Sequence, residues 1–252
     1  AAATALATGG SGPITVNAGT GGILAARATG SHAEISTTGI ISLSSAGAIG
    51  SSANRVQFAA GQDEIDVSNA PGGVWFDGLG PLALGSASAN QTTGNGGLDV
   101  TTQGGGNIVL NRPWNTGNGG TVALAPAGTV HFNFPAGTGP VLTVVNANIT
   151  ITGTLELDDS ASVSLTEDNG TNYEFEITGS LNNAATEANS FTLNSAVLGT
   201  SERIDATIGG PVGAVAGGAL GSLSLYANNI SIGDIGSAEL DRVNAATTIE
   251  AN

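Results

Sequence analysis

Short segments in which apolar and polar residues alternate recur along almost the whole chain. A period of two residues predicts β-strands that bury one face and leave the other in contact with solvent. No segment of comparable quality has the helical period. The segments with this pattern are Ile14–Val16, Ile41–Leu43, Val56–Phe58, Ile65–Val67, Val74–Phe76, Leu82–Leu84, Leu98–Val100, Ile108–Leu110, Val122–Leu124, Ile149–Ile151, Leu155–Leu157, Val163–Leu165, Phe191–Leu193, Leu223–Leu225 and Ile230–Ile232.

Strands this short and this closely spaced fit two architectures, a sandwich or barrel of hairpins and a parallel β-helix. Internal repeats favour the β-helix. The string Thr-Gly-Asn-Gly-Gly occurs at 93–97 and again at 116–120, about one coil of a β-helix apart. A looser echo relates residues 41–56 to residues 230–243. We therefore predict an all-β parallel β-helix, a single rod over residues 1–252, with on the order of ten coils and a length of about 50 Å.

Glycine and asparagine separate the predicted strands, because corners of a β-helix need left-handed backbone conformations that these residues tolerate. Asparagines at equivalent corners can also form hydrogen-bonded ladders between coils. The candidates for such ladders are Asn146, Asn148, Asn182, Asn183, Asn228 and Asn229.

The character of the coils changes along the rod. Acidic residues are sparse in the first half and dense between Glu156 and Glu176, which suggests a soft internal boundary near Pro140. The stretch 111–134 contains Trp114, His131 and Phe132, and we interpret it as a decorated coil or a loop insertion.

Composition narrows the range of functions. The chain has 40 Gly, only 4% aromatic residues and 10% charged residues, and its net charge is −15. Its five basic residues are all arginines, so the chain lacks the basic patches that nucleic acid requires. There is no cysteine for a disulfide or a thiolate metal site, and no apolar run approaches the ~20 residues that a membrane span needs.

Two segments resemble a known class of protein. Ile41 to Phe58, with the sequence Ile-Ser-Leu followed by Ala-Gly-Ala-Ile-Gly-Ser-Ser-Ala-Asn-Arg-Val-Gln-Phe, and Gly73 to Gly85 are similar to repeats of filamentous-haemagglutinin-like exoproteins and other giant β-strand-repeat proteins. The resemblance implies a right-handed β-helix. It also implies export by two-partner or autotransporter secretion, and a role in adhesion, biofilm or cell-surface structure. These motifs are structural, so the chain is expected to be an internal or processed piece of a larger adhesin without catalytic activity.

Glycan-binding surfaces commonly use exposed aromatic side chains. The large aromatic candidates are Trp75, Trp114, Tyr173 and Tyr226. Trp75 and Phe76 are neighbours in one alternating strand, so one of the two is expected to face outward.

Candidates for metal binding and catalysis are few. Carboxylates at tight corners suit calcium, and Asp158, Asp159, Glu167 and Asp168 are expected to approach one another across adjacent coils. His32 and His131 have no partner at metal-ligand spacing, and both are expected in loops or on the surface. No other cofactor is expected.

The sequence thus predicts a non-catalytic extracellular rod, part of a bacterial cell-surface or biofilm adhesin that binds glycans or proteins on host or neighbouring cells. One alternative is a subunit that stacks end to end into a filament or sheath. A second alternative is a polysaccharide lyase or hydrolase built on a β-helix.

Overall fold

The chain is a β-solenoid of about seven turns built from parallel strands, as a computed structural model shows. The structure describes residues 6–8, 10–26, 30, 32–86, 91–133, 140–184, 189–194, 203–213, 220–235 and 247–251, and these contain no helix. The predicted parallel β-helix architecture is therefore confirmed.

Twenty-five strands lie within the described residues. In chain order they are β1 (Leu6–Ala7), β2 (Ile14–Ala18), β3 (Ile35–Ser36), β4 (Ile41–Ser45), β5 (Val56–Phe58), β6 (Gln62–Asn69), β7 (Val74–Gly78), β8 (Leu82–Leu84), β9 (Gln91–Thr92), β10 (Leu98–Thr102), β11 (Ile108–Leu110), β12 (Trp114–Asn118), β13 (Val122–Ala125), β14 (Val130–Phe132), β15 (Leu142–Val145), β16 (Ile149–Ile151), β17 (Leu155–Leu157), β18 (Ala161–Thr166), β19 (Tyr173–Ile177), β20 (Leu181–Asn183), β21 (Ser190–Asn194), β22 (Ile204–Val212), β23 (Ser222–Ala227), β24 (Asn229–Ile235) and β25 (Thr247–Ala251).

From β7 to β20 the strands form three parallel stacks, and each turn contributes one strand to each stack. After β20 the long strand β22 pairs with both β19 and β20, so the second and third stacks merge. The first stack is a sheet of seven strands, β9, β12, β15, β18, β21, β23 and β25. The second contains β7, β10, β13, β16, β19, β22 and β24, and the third contains β8, β11, β14, β17 and β20. Strands β2, β4 and β6 pair side by side in the preceding turns.

Alternation within the strands separates the core from the surface. The apolar residues of β4, β10 and β18 are buried and the residues between them are partly exposed. One continuous apolar cluster runs from Ile14 to Ala227 along the inside of the solenoid. Its side chains are mostly Val, Ile and Leu, with Phe58 packed edge-on against Phe76 at a centroid distance of 4.9 Å. Small aliphatic side chains suit this narrow core because each layer holds only a few of them.

The number of residues per turn varies around the expected 23, with only 20 between Val56 and Phe76, and there are fewer turns than the ten expected. Val74, Leu98 and Val122 stand at equivalent positions 24 residues apart, whereas Phe175 and Ala206 are 31 residues apart. About seven turns at the ~4.8 Å strand spacing give a length of about 34 Å rather than 50 Å.

The first repeat corresponds to one turn of the solenoid. Trp114 pairs with Gln91 and Asn115 with Thr92, which places Thr116 beside Thr93 in the next turn. The hydroxyl of Thr116 donates to Gly120 O at 2.7 Å, and the hydroxyl of Thr93 donates to Gly96 O, one residue nearer along the chain. Gly120 is required here, because a Cβ at this position would lie 2.5 Å from Gly96 O of the neighbouring turn.

Replacing Gly120 with alanine should therefore destabilise the protein by about 1–3 kcal/mol, as overpacking usually does. The matched control is Gly21→Ala, since a Cβ on Gly21 meets no atom within 4 Å. Chemical denaturation of both variants tests this prediction. Equal stability of the two would contradict the close approach of turns at Gly120.

A ladder of side-chain amides runs along one corner, as predicted for Asn146. The Asn146 Nδ2 atom donates to Asn118 Oδ1 at 3.0 Å and also to Asp168 Oδ1, while Asp168 N donates back to Asn146 Oδ1 at 3.0 Å. In the turn before, Asn118 N donates to Asn95 Oδ1 at 3.1 Å. Asn146 has a φ of 54°, the left-handed conformation expected at a corner. Asn148, by contrast, accepts a hydrogen bond from the backbone N of Glu174.

Two substitutions at Asn146 separate its two roles. Asn146→Gly keeps the left-handed backbone and loses the side-chain bonds, which should cost about 1–2 kcal/mol. Asn146→Ala also strains the backbone and should cost roughly 1–2 kcal/mol more. Urea denaturation measures both differences, and an alanine variant no less stable than the glycine variant would refute the backbone contribution.

Two expectations from the sequence are wrong. Residues 111–134 do not form the loop insertion that was one of the two interpretations, because β12, β13 and β14 in their described part are paired strands of one turn. The looser echo does not relate equivalent positions of the solenoid. Ile230 lies in the stack that contains Val74, and Val74 pairs with Ile49. Ile41 lies in a different stack, where it pairs with Ile65. The rest of that echo, residues 236–243, lies outside the described residues.

Candidate functional site

One of the four aromatic candidates is buried, and this corrects the prediction. Trp114 is 0% exposed and belongs to the core cluster. It pairs with Gln91 and Leu142, which are also buried, so its position in the alternation faces inward. Its Nε1 has no hydrogen-bond partner within the described part of the chain. Trp114 therefore cannot present a ring to a ligand on the surface.

Trp75 faces outward as the alternation requires, since Phe76 is fully buried and Trp75 is partly exposed. Its indole covers Gly73, where an added Cβ would lie 2.7 Å from the ring. Tyr173 and Tyr226 are also partly exposed, and the Tyr173 hydroxyl accepts a hydrogen bond from Asn169 at 2.7 Å. Three of the aromatic candidates thus reach the surface.

A charged pair lies beside Trp75. Asp99 is the register neighbour of Trp75 in the next turn, and Arg55 NH2 lies 2.7 Å from Asp99 Oδ2. Arg55 NH1 also donates to the carbonyl oxygens of Phe76 and Asp99. We call Arg55, Trp75 and Asp99 the Trp75 surface. It places an aromatic ring beside a cation and an anion on the same outer face, a combination that suits recognition of a polar ligand.

A buried carboxylate that was not predicted from the sequence lies near this surface. Asp77 is 2% exposed, and it accepts hydrogen bonds from Gln57 at 2.7 Å, Thr101 at 2.7 Å and Gln103. Gln57 and Gln103 also donate to Gly30 O, so the network ties residue 30 to the neighbouring turns. These donors satisfy the hydrogen-bonding capacity of the buried Asp77 carboxylate, so the role of Asp77 is structural. The sequence signal that could have revealed this network is the recurrence of polar residues at equivalent positions of successive turns.

His131 forms the other polar cluster that the sequence analysis did not predict. It lies on β14 with its side chain 16% exposed. Its Nδ1 is 3.2 Å from Asp158 Oδ2, and its Nε2 is 2.7 Å from the Thr129 hydroxyl and 3.1 Å from Asn107 Nδ2. Glu156 Oε2, in the next turn, is 3.5 Å from Nε2. The imidazole therefore joins three consecutive turns on the outside of the third stack.

The protonation state of His131 is set by these neighbours. The hydrogen bond to Asp158 raises the pKa of His131 above its ordinary 6.5, and the negative charges of Asp158 and Glu156 act in the same direction. Partial burial opposes them. In the neutral form Nε2 accepts from the Asn107 amide, so Nδ1 carries the proton towards Asp158.

This shift predicts a dependence of stability on pH. Because the folded state binds the His131 proton more tightly than the unfolded state, the stabilisation is complete below pH about 6.5 and disappears as the pH rises through the folded pKa. His131→Gln should lack that component, so its deficit relative to the native protein should shrink on the alkaline side.

Thermal unfolding between pH 5 and pH 9 measures the effect. His32→Gln, which removes the other histidine, is the matched control. A constant difference between the native protein and His131→Gln across this range would contradict the assignment.

The four carboxylates predicted to bind calcium are not assembled into a site. Asp158 contacts His131, Asp168 accepts from Asn146, and Glu167 accepts from the backbone N of Gly170. In the described ranges, no group of three or more acidic or histidine side chains could hold a metal ion. The prediction that Asp158, Asp159, Glu167 and Asp168 converge is therefore wrong, because they belong to different corners of the turn.

None of the described segments forms a helix long and apolar enough to span a membrane. Comparisons of the chain with family models, curated proteins and solved structures give no match. We therefore infer the function of the chain from its solenoid architecture and from the surfaces described above.

Proposed function

We propose that the chain is a non-catalytic structural and adhesive rod of a bacterial cell-surface or biofilm adhesin, exposed outside the cell. The observation that carries the proposal is the uninterrupted parallel stacking of turns over a single core. A solenoid of this kind resists bending and presents its outer side chains at regular spacing. It therefore serves as a stiff support for a binding surface.

The outer polar side chains support the same role. Several of them are bonded between turns, such as Asn146 to Asn118 and His131 to Asp158, so the surface is held by the same contacts that join the turns. The Trp75 surface offers a ring and two charges for a glycan or a protein on another cell. The negative net charge keeps such rods apart in solution.

Adhesion can be measured with beads that carry the purified chain. We expect these beads to remain on bacterial biofilm or on host-cell surfaces under flow, in clear excess over beads that carry an unrelated protein of similar negative charge. Trp75→Ser should reduce retention several-fold, whereas Tyr226→Ser, on another stack, is the matched aromatic control. If retention of the native chain equals that of the unrelated protein, the adhesive function is refuted.

End-to-end assembly into a filament or sheath is the second candidate, and a specific feature of the first turn favours it. Among the described strands, β2 pairs only with β4, so none of these strands occupies its other edge. Such an edge can template another strand. Electron microscopy at increasing protein concentration tests this candidate. Fibres with the diameter of the solenoid would support it, and isolated particles at every concentration would exclude it.

A further inference from the structure

A shallow groove lies on the outer surface of β2, β4 and β6. Its volume is about 330 Å³, at the lower end of the ~300–1,000 Å³ typical of ligand sites. Its polar lining comes from three adjacent turns and consists of Thr15, Asn17, Ser42, Ser44, Asp66 and Ser68. Thr15 stands beside Ser42 and Ser42 beside Asp66, whereas the register of β4 and β6 shifts after Leu43, so that Ser44 pairs with Asn69.

The hydroxyl and amide groups in this groove are available to a ligand. Within the described part of the chain, the side chains of Thr15, Asn17, Ser42, Ser44 and Ser68 make no hydrogen bond to another protein group. They differ in this respect from the corner residues, whose hydroxyls and amides are bonded within the solenoid. Thr15, Asn17 and Ser68 are exposed, and the two β4 serines are partly exposed.

Asp66 is the one residue of the groove that is fixed in place. Its Oδ1 accepts from Ser86 N at 2.7 Å and Gln91 Nε2 at 2.8 Å, and its Oδ2 accepts from the Ser86 hydroxyl at 2.6 Å. A carboxylate has about four acceptor sites, so one remains on Oδ2. The protein thus holds a charged acceptor in a defined orientation at the edge of the groove, where a ligand hydroxyl can bind it.

Charge identifies the kind of ligand. The only charged side chain of the lining is Asp66, and the chain as a whole carries −15. Anionic ligands are therefore repelled. No cluster of side chains that could hold a metal ion occurs among the described residues, so a metal ion is not the expected ligand. A neutral molecule with many hydroxyl groups matches the free hydroxyls, the amide of Asn17 and the acceptor on Asp66.

We propose that this groove binds a neutral glycan, with Asp66 and the serines of β4 contacting sugar hydroxyls. The proposal rests on the adhesive function stated above and adds to it a ligand class and a second location, apart from the Trp75 surface. The spacing of turns places the side chains of Thr15, Ser42 and Asp66 at steps of about 4.8 Å, so a short linear segment of glycan can contact all three at once.

The test begins with an array that carries neutral oligosaccharides of glucose, galactose and mannose together with sialylated and sulfated ones. We expect binding to neutral oligosaccharides only. For the best of these, isothermal titration calorimetry compares the native chain with Ser42→Ala/Ser44→Ala and with Asp66→Asn. Each variant should weaken binding at least tenfold, because contacts to sugar hydroxyls are lost.

The matched control is Ser162→Ala/Ser164→Ala, which removes two partly exposed serines from β18 outside the groove and should leave the affinity unchanged. Circular dichroism confirms that each variant is folded. Binding confined to acidic glycans, binding to no array member, or equal affinity of the two double variants would overturn the proposal. Beads that carry the Ser42→Ala/Ser44→Ala variant distinguish a failure of the groove proposal from a failure of the adhesive function. Full retention on cells refutes the groove alone, whereas no retention even of the native chain refutes the adhesive function.

Discussion

Parallel hydrogen bonding between successive turns is the constraint on which the rest of this structure depends. The strands pair with their equivalents in the next turn, as β10 does with β13. Each side chain must therefore fit beside the residues at the same position in the turns above and below. Gly120 lacks a side chain because Gly96 O occupies the space. Asn146 adopts a left-handed conformation and bonds to Asn118 and Asp168 for the same reason. The thin aliphatic core follows from the narrow space that three short strands enclose.

The same constraint divides the outer polar side chains into two kinds. One kind is bonded between turns, as Asp77 and His131 are, and it stabilises the stacking. The other kind, which includes Ser42 and Ser44, is free within the described part of the chain and faces solvent in register. A binding function can use the free groups directly, whereas a bonded carboxylate such as Asp66 contributes through the acceptor site that its partners leave open. The Trp75 surface combines both kinds, because Arg55 and Asp99 pair with each other beside a partly exposed ring.

Much of the fold could be predicted from the sequence, because period-two alternation and a repeat of about one turn are local signals. On that basis the alternation predicts that one of Trp75 and Phe76 faces outward and that Asn146 lies at a corner, but it does not decide between the two aromatic residues. The orientation of Trp114 could not be read locally, since it follows Pro113 at the start of a strand and its phase is set by Gln91 and Leu142 in adjacent turns. The His131 cluster was not predicted because Asn107, Glu156 and Asp158 reach His131 only through the stacking of turns. The acidic residues 158–168 appeared close in sequence, yet successive corners of the turn separate them.

The most direct test of the account is a set of distances between spin labels placed along one column of the second stack. Trp75, Asp99, Ala123, Thr150, Glu176, Thr207 and Ser231 follow one another in register. Because the chain has no cysteine, pairs of introduced cysteines can be labelled without background. With one label at position 231 and the other at 123, 99 or 75, pulsed electron paramagnetic resonance should give distances near 19, 24 and 29 Å, one ~4.8 Å strand spacing per turn. Distances that fail to rise in equal steps would contradict the stacked solenoid and the functions that depend on it.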